Sequence, residues 1–304
     1  MVQLNFPPPD GFLEEETRCE HFVSKKMKEI WAVEIDLTLQ ILKVCEKYNL
    51  KIFADWGTAL GAVRHKGFIP WDDDMDFCML RDDYDKLLKV AKSEFEYPYY
   101  FDDAEGITMG GFPARLRNSQ TTAIPPKDRK RNLKCNQGIF IDIFPLDNVP
   151  DNFLYFAIQK KIIRLLAVMA CGFAYFSTNY YEPSNVLIRV PSKILHKVFR
   201  KPSEKLMRVS RTLLLKVATF FNKKQTARVT SLSNSYFQAT MHNYYDNAFW
   251  MPFEYIHLPI IQAYDDLLKA EYGNYMVFKK YASEHEGMFC DPNRPYTDYV
   301  NGLK

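Results

Sequence analysis

The chain has 304 residues, of which 47% are hydrophobic and 25% are charged. This composition excludes an intrinsically disordered chain and supplies enough apolar residues for one large domain or two modest ones. The formal net charge of +3 is too small to predict nucleic-acid binding, so we expect no nucleic-acid partner.

The cysteines indicate a reducing compartment. Six of them are scattered along the chain, without a Cys-x-x-Cys pair or zinc-site spacing. The first ten residues lack the basic and apolar segments of a signal peptide. The longest apolar run, residues 165–176, is shorter than the roughly 20 residues of a bilayer span. We therefore expect a cytoplasmic location.

The first 150 residues mix helix and strand patterns. Apolar residues at gaps of three and four predict an amphipathic helix over 24–48, with Ser24 as its N-cap. Two further helices are predicted, one over 57–64 and one capped by Asp82. Four short strands are predicted at residues 51–55, 75–80, 112–116 and 138–144. The mixture indicates an α/β or α+β sheet flanked by helices.

The second half has a different pattern, and the chain as a whole is therefore predicted to be α+β. Residues 152–240 carry helical apolar stripes almost throughout, and a helix over 260–272 is closed by Gly273. Residues 189–228 hold twelve basic side chains and one acid, Glu204. The predicted parts are a catalytic core at 1–150, a basic helical subdomain at 151–258 and a C-terminal segment at 259–304 that packs back on the core.

Four aspartates, at positions 72, 73, 74 and 76, stand at the start of the strand predicted over 75–80. Because strand side chains alternate, Asp74 and Asp76 are expected to share a face, and Asp72 joins them if the strand starts early. Carboxylates this close either raise one another's pKa or bind a cation. Oxygen ligands suit Mg²⁺, which takes substrate phosphates as further ligands. The alternative, a solvated turn, does not normally lead straight into an apolar strand.

Other residues could complete such a site. Asp142 lies between two isoleucines of a predicted strand, where an acid needs a partner; it is either a third ligand or a loop cap. Gly57 precedes a helix start at which backbone N–H groups can approach a phosphate. Arg115 and Arg117 alternate on a strand and form either a bidentate phosphate clamp or structural ion pairs.

Two more groups of side chains surround the acids in sequence. Arg64, His65 and Lys66 form a cationic triplet, which indicates either phosphate contact or a solvated loop. Aromatic faces attract a quaternary ammonium, although ordinary core packing is the alternative for each ring. The aromatic residues in question are Trp56, Phe68, Trp71 and Tyr84.

The segment from Gly57 to Asp76 resembles the LicD-type phosphotransferases, which are related to the fukutin group. It reads Gly-Thr-x-Leu-Gly-Ala-Val-Arg-His-Lys-Gly-Phe-Ile-Pro-Trp-Asp-Asp-Asp-x-Asp and is followed by Arg-Asp-Asp-Tyr. The likeness continues at residues 113–123, 138–147, 271–276 and 291–296. It covers 30–150 and 260–299, and much less of 151–258.

The resemblance implies a nucleotidyltransferase-like fold with a mixed sheet and a metal-dependent transfer of a phospho-alcohol. Asp74, Asp76 and Asp142 correspond to the family's metal-binding acids, for Mg²⁺ or Mn²⁺, and Asp72 to a further catalytic acid beside them. Either Asp142 or Asp72 would be the general base if a single metal is used. Thr58 corresponds to the Gly or Ser that follows the first glycine in such folds. The expected substrate-binding residues are Gly57, Thr58, Arg64, His65, Lys66, Trp71, Arg115 and Arg117.

The leading interpretation is transfer of phosphocholine from CDP-choline, with release of CMP, onto a hydroxyl of a cell-surface glycan or its lipid-linked precursor. Lipopolysaccharide, teichoic acid and capsule are acceptors of this kind. The alternatives are a CDP-ribitol- or CDP-glycerol-dependent phosphotransferase, a nucleotidyltransferase on the same fold, and a non-enzymatic basic adaptor at a membrane surface.

The basic segment also predicts where the protein works. Leu206, Val209, Leu213, Leu214 and Val217 lie at helical spacing with basic residues around them. A basic amphipathic helix can lie in a membrane interface, and a solvated charged face is the alternative. We therefore expect peripheral contact with the inner face of the membrane.

Overall fold

The computed structural model describes residues 1–103, 113–126, 135–178, 186–224, 226–232, 239–279 and 287–300. Its helices are α1 (Lys25–Lys47), α2 (Trp56–His65), α3 (Arg81–Glu94), α4 (Phe153–Thr178), α5 (Val186–Ala218), α6 (Tyr264–Tyr272) and α7 (Thr297–Val300). Its strands are β1 (Glu16–Arg18), β2 (His21–Val23), β3 (Phe53–Ala54), β4 (Asp76–Leu80), β5 (Tyr99–Asp102), β6 (Ala114–Asn118), β7 (Thr122–Ile124), β8 (Ile139–Val149), β9 (Arg228–Thr230), β10 (Thr240–Met241), β11 (Ala248–Phe253), β12 (Ile256–Ile261) and β13 (Phe289–Asp291). This content confirms the expected α+β class.

The described residues form two compact units. The first contains the described residues within 1–103, 113–145 and 243–300, and the second contains those within 146–242. In the first unit the strands run in the order β3, β4, β8, β6, β5. Strand β3 pairs with β4, and β6 pairs with both β5 and β8, in antiparallel fashion. Short strand pairs β1–β2, β11–β12 and β7–β13 complete this unit.

Helix α1 is more deeply buried than its pattern predicts. Ser24 caps it as expected, because its Oγ accepts a hydrogen bond of 3.2 Å from the Met27 N–H. From Ile30 to Thr38 every residue is buried, so the helix passes through the core of the first unit rather than lying on it with one face. Its neighbours in that core include Phe77, Met79, Leu116 and Ile141. The helix therefore carries polar side chains into the interior.

Several predicted boundaries of the first unit need correction. Strand β4 begins at Asp76, so Asp72 and Asp74 belong to the preceding loop and strand alternation does not orient them. Asp82 lies in the first turn of α3, whose N-cap is Leu80 without a side-chain bond. Strand β8 was predicted to end at residue 144 but continues to Val149. The strand predicted over 112–116 begins at Ala114, and residue 112 lies outside the described residues.

The predicted long helical stretch over 152–240 is also wrong at its end, because residues 228–230 and 240–241 form strands. The helix predicted over 260–272 begins only at Tyr264, because the β-branched residues before it extend β12. Gly273 ends that helix as predicted.

In the second unit, helices α4 and α5 pack against each other as a hairpin. Their shared core also includes Val149 and Leu232; the helical members are Phe156, Ile163, Leu214 and Ala218. The Gln159 Nε2 donates a 2.9 Å hydrogen bond to the Val217 carbonyl. Among the described residues, no helix is both long enough and apolar enough to cross a bilayer.

Candidate active site

The start of α2 and the start of β4 are bonded to each other. The Asp55 carboxylate caps α2 by accepting a 3.0 Å bond from the Trp56 N–H. The Asp55 N–H donates to the Asp76 carbonyl at 3.0 Å, and the Asp76 N–H donates to Thr58 Oγ1 at 2.8 Å. The hydroxyl at position 58 therefore anchors the strand on which Asp76 stands.

Gly57 makes room for Asp72. A Cβ atom at position 57 would lie 2.7 Å from Asp72 Oδ2, so no larger residue fits without moving the carboxylate. The Trp31 Nε1–H donates a 2.9 Å bond to the Asp72 carbonyl and fixes the loop from the other side. The structure thus brings Gly57 and Thr58 next to the acids, as their sequence spacing predicts.

The loop before the acids is held by Glu254, which lies in the turn between β11 and β12. The Glu254 N–H donates to the Lys66 carbonyl at 2.8 Å, and Glu254 Oε1 accepts from the Phe68 N–H at 3.0 Å. Arg18 binds the same carboxylate with two nitrogens, at 2.5 and 2.9 Å. A Cβ at Gly67 would lie 2.2 Å from Glu254 Oε1, so a glycine is required there.

The aspartates repel one another strongly. Burial, followed by the charge of Asp74, raises the pKa of Asp72 to about 8. Burial and the charges of Asp74 and Asp142 raise the pKa of Asp76 well above its ordinary value. Burial also raises the pKa of Asp55 to about 6. This concentration of negative charge favours a cationic ligand.

Asp142 already has a cationic partner. It lies opposite Arg115 in the β6–β8 register, and the guanidinium binds both carboxylate oxygens, Nε to Oδ1 at 2.5 Å and Nη2 to Oδ2 at 3.2 Å. The Asp142 N–H donates to the Met75 carbonyl at 3.0 Å, which places β8 beside the start of β4. Asp142 is buried, as its apolar neighbours predict.

Arg117 shares a strand face with Arg115 but has different partners. Both guanidinium groups lie over the Phe140 ring, at 4.3 Å for Arg115 and 4.6 Å for Arg117. Arg117 is buried, donates to the Gly138 carbonyl at 3.1 Å and lies 3.8 Å from Asp102. Burial, with the charge of Arg115, lowers its pKa to about 10. Ion pairs therefore hold both arginines here, and phosphate binding stays a prediction.

Glu34 is a further acid of the site that the sequence prediction did not include. This side chain is 2% exposed, and its Oε2 has no hydrogen-bond partner among the described residues. It lines a small cavity together with Asp73 and Asp74, and the walls also contain Phe140 and Met288. Burial, followed by the charge of Asp74, raises its pKa well above the ordinary value. The signal was available, because position 34 falls three residues after Trp31 on the apolar side of α1.

Glu271 is a second acid without an assigned role, and it is half-buried. Its Oε2 has no hydrogen-bond partner among the described residues. Burial and the charge of Asp55 raise its pKa to about 9. Burial and the charge of Glu271 likewise raise the pKa of the adjacent Tyr272. The resemblance included Glu271 in a motif without giving it a function.

The cationic triplet divides into three environments. Arg64 Nη1 donates to the Tyr275 carbonyl at 2.7 Å, and its Nε donates to His65 Nε2 at 2.8 Å. Burial and the charge of Arg64 lower the pKa of His65 to about 4, so this imidazole is neutral near pH 7. Lys66 is exposed and ends α2 in the left-handed conformation, with φ 55°.

The aromatic residues around the acids mostly pack against other rings. Trp71 lies edge-on to His65, with ring centres 6.4 Å apart, and Trp56 packs on Phe144 at 4.5 Å. Phe68 stacks on Trp31 at 4.6 Å. Tyr84 is buried. Core packing, the alternative considered for these residues, accounts for Phe68 and Tyr84, whereas Trp56 and Trp71 are only partly buried and their contact with a quaternary ammonium stays a prediction.

The donor set fits a hard divalent cation. Within the described ranges, no group of three or more His, Cys, Asp and Glu side chains stands ready-made around a metal position. Mg²⁺ does not require one, because it is usually bound by one or two carboxylates, waters and substrate phosphates. Asp74 and Asp76 supply such oxygens, and the raised pKa of Asp76 shows that negative charge there lacks sufficient compensation.

Comparison with known proteins identifies the domain around these acids. A family model described as the LicD/FKTN/FKRP nucleotidyltransferase domain matches residues 49–157. The chain is 28% identical over 238 residues to the lipopolysaccharide cholinephosphotransferase LicD of Haemophilus influenzae, which covers 77% of this chain and 84% of that protein. An uncharacterised protein of Rickettsia prowazekii is 30% identical over 112 residues, 36% of this chain and 37% of its own length.

The matched domain contains the acidic cluster, which consists of Asp72, Asp73, Asp74 and Asp76. It also contains β4 and β8, the strands on which Asp76 and Asp142 lie. It also confirms the nucleotidyltransferase-like fold that the Gly57–Asp76 motif implied. Residues 49–157 therefore match a nucleotidyltransferase domain of the LicD/FKTN/FKRP type, and over most of its length the chain is similar to a LicD protein.

Proposed function

We propose that the protein transfers phosphocholine from CDP-choline to a hydroxyl of a cell-surface glycan or its lipid-linked precursor, with release of CMP. The observation that carries this proposal is the cluster of Asp72, Asp74 and Asp76 beside the glycine at the start of α2. Two features support it: the family of the domain, and the name of the Haemophilus relative, which specifies lipopolysaccharide and cholinephosphotransfer.

Asp74 and Asp76 would hold Mg²⁺, and Mn²⁺ would serve in the same way. When bound, the cation supplies charge neutralisation for the donor's diphosphate. Asp142 would join as a third ligand only by sharing its oxygens with Arg115, since that guanidinium already binds both of them.

Asp72 is the better general base of the two carboxylates considered. A pKa of about 8 suits a group that must accept a proton near neutral pH, whereas both oxygens of Asp142 are already bound by Arg115. In the reaction a bond forms between the acceptor oxygen and the phosphorus that bears choline. The bond from that phosphorus to the CMP oxygen breaks, and the hydroxyl proton moves to Asp72.

The donor phosphates would be positioned by residues next to the acids. The α2 N-terminus at Gly57 and Thr58 offers backbone N–H groups and a favourable helix dipole. Lys66 is exposed and available for a phosphate, whereas Arg64 and His65 bond to each other and would mainly orient the loop. Trp71, partly buried beside His65, would border the same region.

The products of one reaction distinguish the candidate functions. Purified protein is incubated with CDP-choline, Mg²⁺ and a glycan acceptor, and phosphorus NMR follows the nucleotide. Release of CMP with phosphocholine on the glycan supports the proposal. A parallel reaction contains a nucleoside triphosphate in place of CDP-choline. Release of pyrophosphate in that reaction identifies a nucleotidyltransferase instead. CMP release only from CDP-ribitol or CDP-glycerol changes the transferred alcohol.

The proposed donor also suggests the location of the reaction. CDP-activated alcohols are cytoplasmic metabolites, so we place the enzyme in the cytoplasm. A lipid-linked acceptor would be reached at the inner face of the membrane. Fractionation of cells that express the full chain tests this location, and recovery outside the cytoplasmic and inner-membrane fractions would contradict it.

A further inference from the structure

Helix α4 is apolar on two opposite sides. One side faces the core of the second unit through Phe156, Ile163 and Ala170, which are 2–5% exposed. The other side is also apolar but faces solvent. Its exposed residues, between 40% and 77% accessible, are Phe153, Leu154, Tyr155, Ile158, Ile162, Leu165, Val168 and Met169. An exposed apolar face of this size normally marks a surface that contacts a partner or a membrane.

Helix α5 extends this surface. Leu206, Val209 and Leu213 recur at gaps of three and four and are 45–46% exposed. Leu214 is 4% exposed and belongs to the core, so the five residues predicted to share one face divide between the core and the surface. We call the exposed apolar residues of α4 and α5 together the outer hairpin face.

The charge of the hairpin has one sign. Helix α4 contains three basic residues and no acid, and α5 contains nine basic residues and the single acid Glu204. That acid is already paired with Arg208 at 2.7 Å. Lys205 and Lys216 are exposed next to the apolar row of α5. Long basic side chains beside apolar surface are typical of helices that lie at a lipid headgroup layer.

We propose that the outer hairpin face docks onto an anionic lipid membrane, with α4 and α5 lying in the plane of the interface. A second copy of the chain would bring two strongly basic surfaces together, and their repulsion opposes such a dimer. Anionic lipid instead offers negative charge and an apolar layer at the same surface. The proposal goes beyond the proposed function, and its test does not depend on catalysis.

The test is co-sedimentation of the full chain with vesicles of phosphatidylcholine containing phosphatidylglycerol, compared with vesicles of pure phosphatidylcholine. We expect binding to the anionic vesicles that weakens as salt is raised, because salt screens the basic residues. A combined Leu165→Gln and Val168→Gln variant should bind at least about tenfold more weakly, because each loses the burial of a large apolar side chain. A combined Lys205→Gln and Lys216→Gln variant should lose much of the salt-dependent part of its binding to the anionic vesicles.

A matched control is Phe22→Gln, since Phe22 is 59% exposed but lies in the first unit. It should bind vesicles like the unchanged protein. Absence of binding to anionic vesicles at low salt overturns the proposal, as does full binding by the Leu165/Val168 variant. Analytical ultracentrifugation without lipid tests the alternative that a second copy of the chain covers this face. A dimer that this variant converts to a monomer would assign the face to a second copy.

Discussion

Folded proteins normally bury apolar side chains and leave charged side chains in water. The acidic cluster and the outer hairpin face depart from this rule in opposite directions. Around Asp72 and Asp76, charged groups lie close together in a poorly hydrated place. On α4, large apolar side chains lie in water. Each arrangement is unfavourable by itself, and each becomes favourable with a ligand of the matching kind. Under the two proposals the regions have different partners, a cation with phosphates for the acidic cluster and lipid for the outer hairpin face.

The largest expected effect tests the acidic side of this comparison. Asp74→Asn or Asp76→Asn should lower turnover by about 10² or more, because the charge that neutralises the diphosphate is lost. The double variant should be little worse than either single one, because the two act as a unit. CMP release in steady state measures both.

The control for these variants is Asp82→Asn, an exposed acid in the first turn of α3. It should keep normal turnover. Activity retained in EDTA, or effects that multiply in the double variant, would argue against one shared cation.

A smaller loss is expected at Arg115. Arg115→Lys should lower turnover about tenfold, because lysine cannot bind both oxygens of Asp142 as the planar guanidinium does. Arg117→Lys should mainly lower thermal stability, because Arg117 is buried and bonded to the Gly138 carbonyl. Steady-state kinetics and thermal melts separate the two outcomes. Full activity in both variants would leave both arginines with purely structural roles.

The stability of the metal-free protein should fall as pH rises. The pKa of Asp72 is raised from 3.8 to about 8, so the folded state holds a proton that the unfolded chain releases. Its contribution is complete below the unfolded pKa and is lost as pH rises through the folded value. Asp76 acts in the same direction.

Melts at several pH values, with and without Mg²⁺, measure this effect. Mg²⁺ should raise Tm by more near pH 8 than near pH 5, since it binds the ionised carboxylates. Asp72→Asn should flatten the dependence on pH. An equal increase in Tm at both pH values would indicate that the cation binds elsewhere.

The smallest effect should come from Glu34. Glu34→Gln keeps the shape of a buried side chain that has an unpartnered oxygen, and removes a charge that burial and Asp74 oppose. We expect Tm to rise by about 2 °C near neutral pH, with a larger gain at higher pH. The reference is Asp36→Asn on the same helix, which should lower Tm because Asp36 accepts bonds from Tyr99 and the Phe6 N–H. A lower Tm for the Glu34 variant would show that its carboxylate is stabilising.

Local patterns predicted most of the first unit. Ser24 and Gly273 act as sequence rules predict, because each depends on neighbours a few residues away. The Asp142–Arg115 pair depends on the register of two strands 27 residues apart, which no spacing rule supplies. Glu34 could be suspected from its spacing to Trp31, but its burial also depends on the other elements that cover α1, and an amphipathic pattern does not give these. The exposure of α4 could not be decided from the sequence, because apolar periodicity does not distinguish a buried helix face from an exposed one.

The contacts of Glu254 affect how the domain at residues 49–157 can be isolated. Arg18 and Glu254 both lie outside residues 49–157, yet together they hold the loop that carries Gly67 and leads to the acids. A fragment cut at the boundaries of the matched range would keep Asp72, Asp74, Asp76 and Asp142 and lose these contacts to the loop. Protein produced for structural or kinetic work should retain the first unit from its N-terminal strand pair to its C-terminal strand.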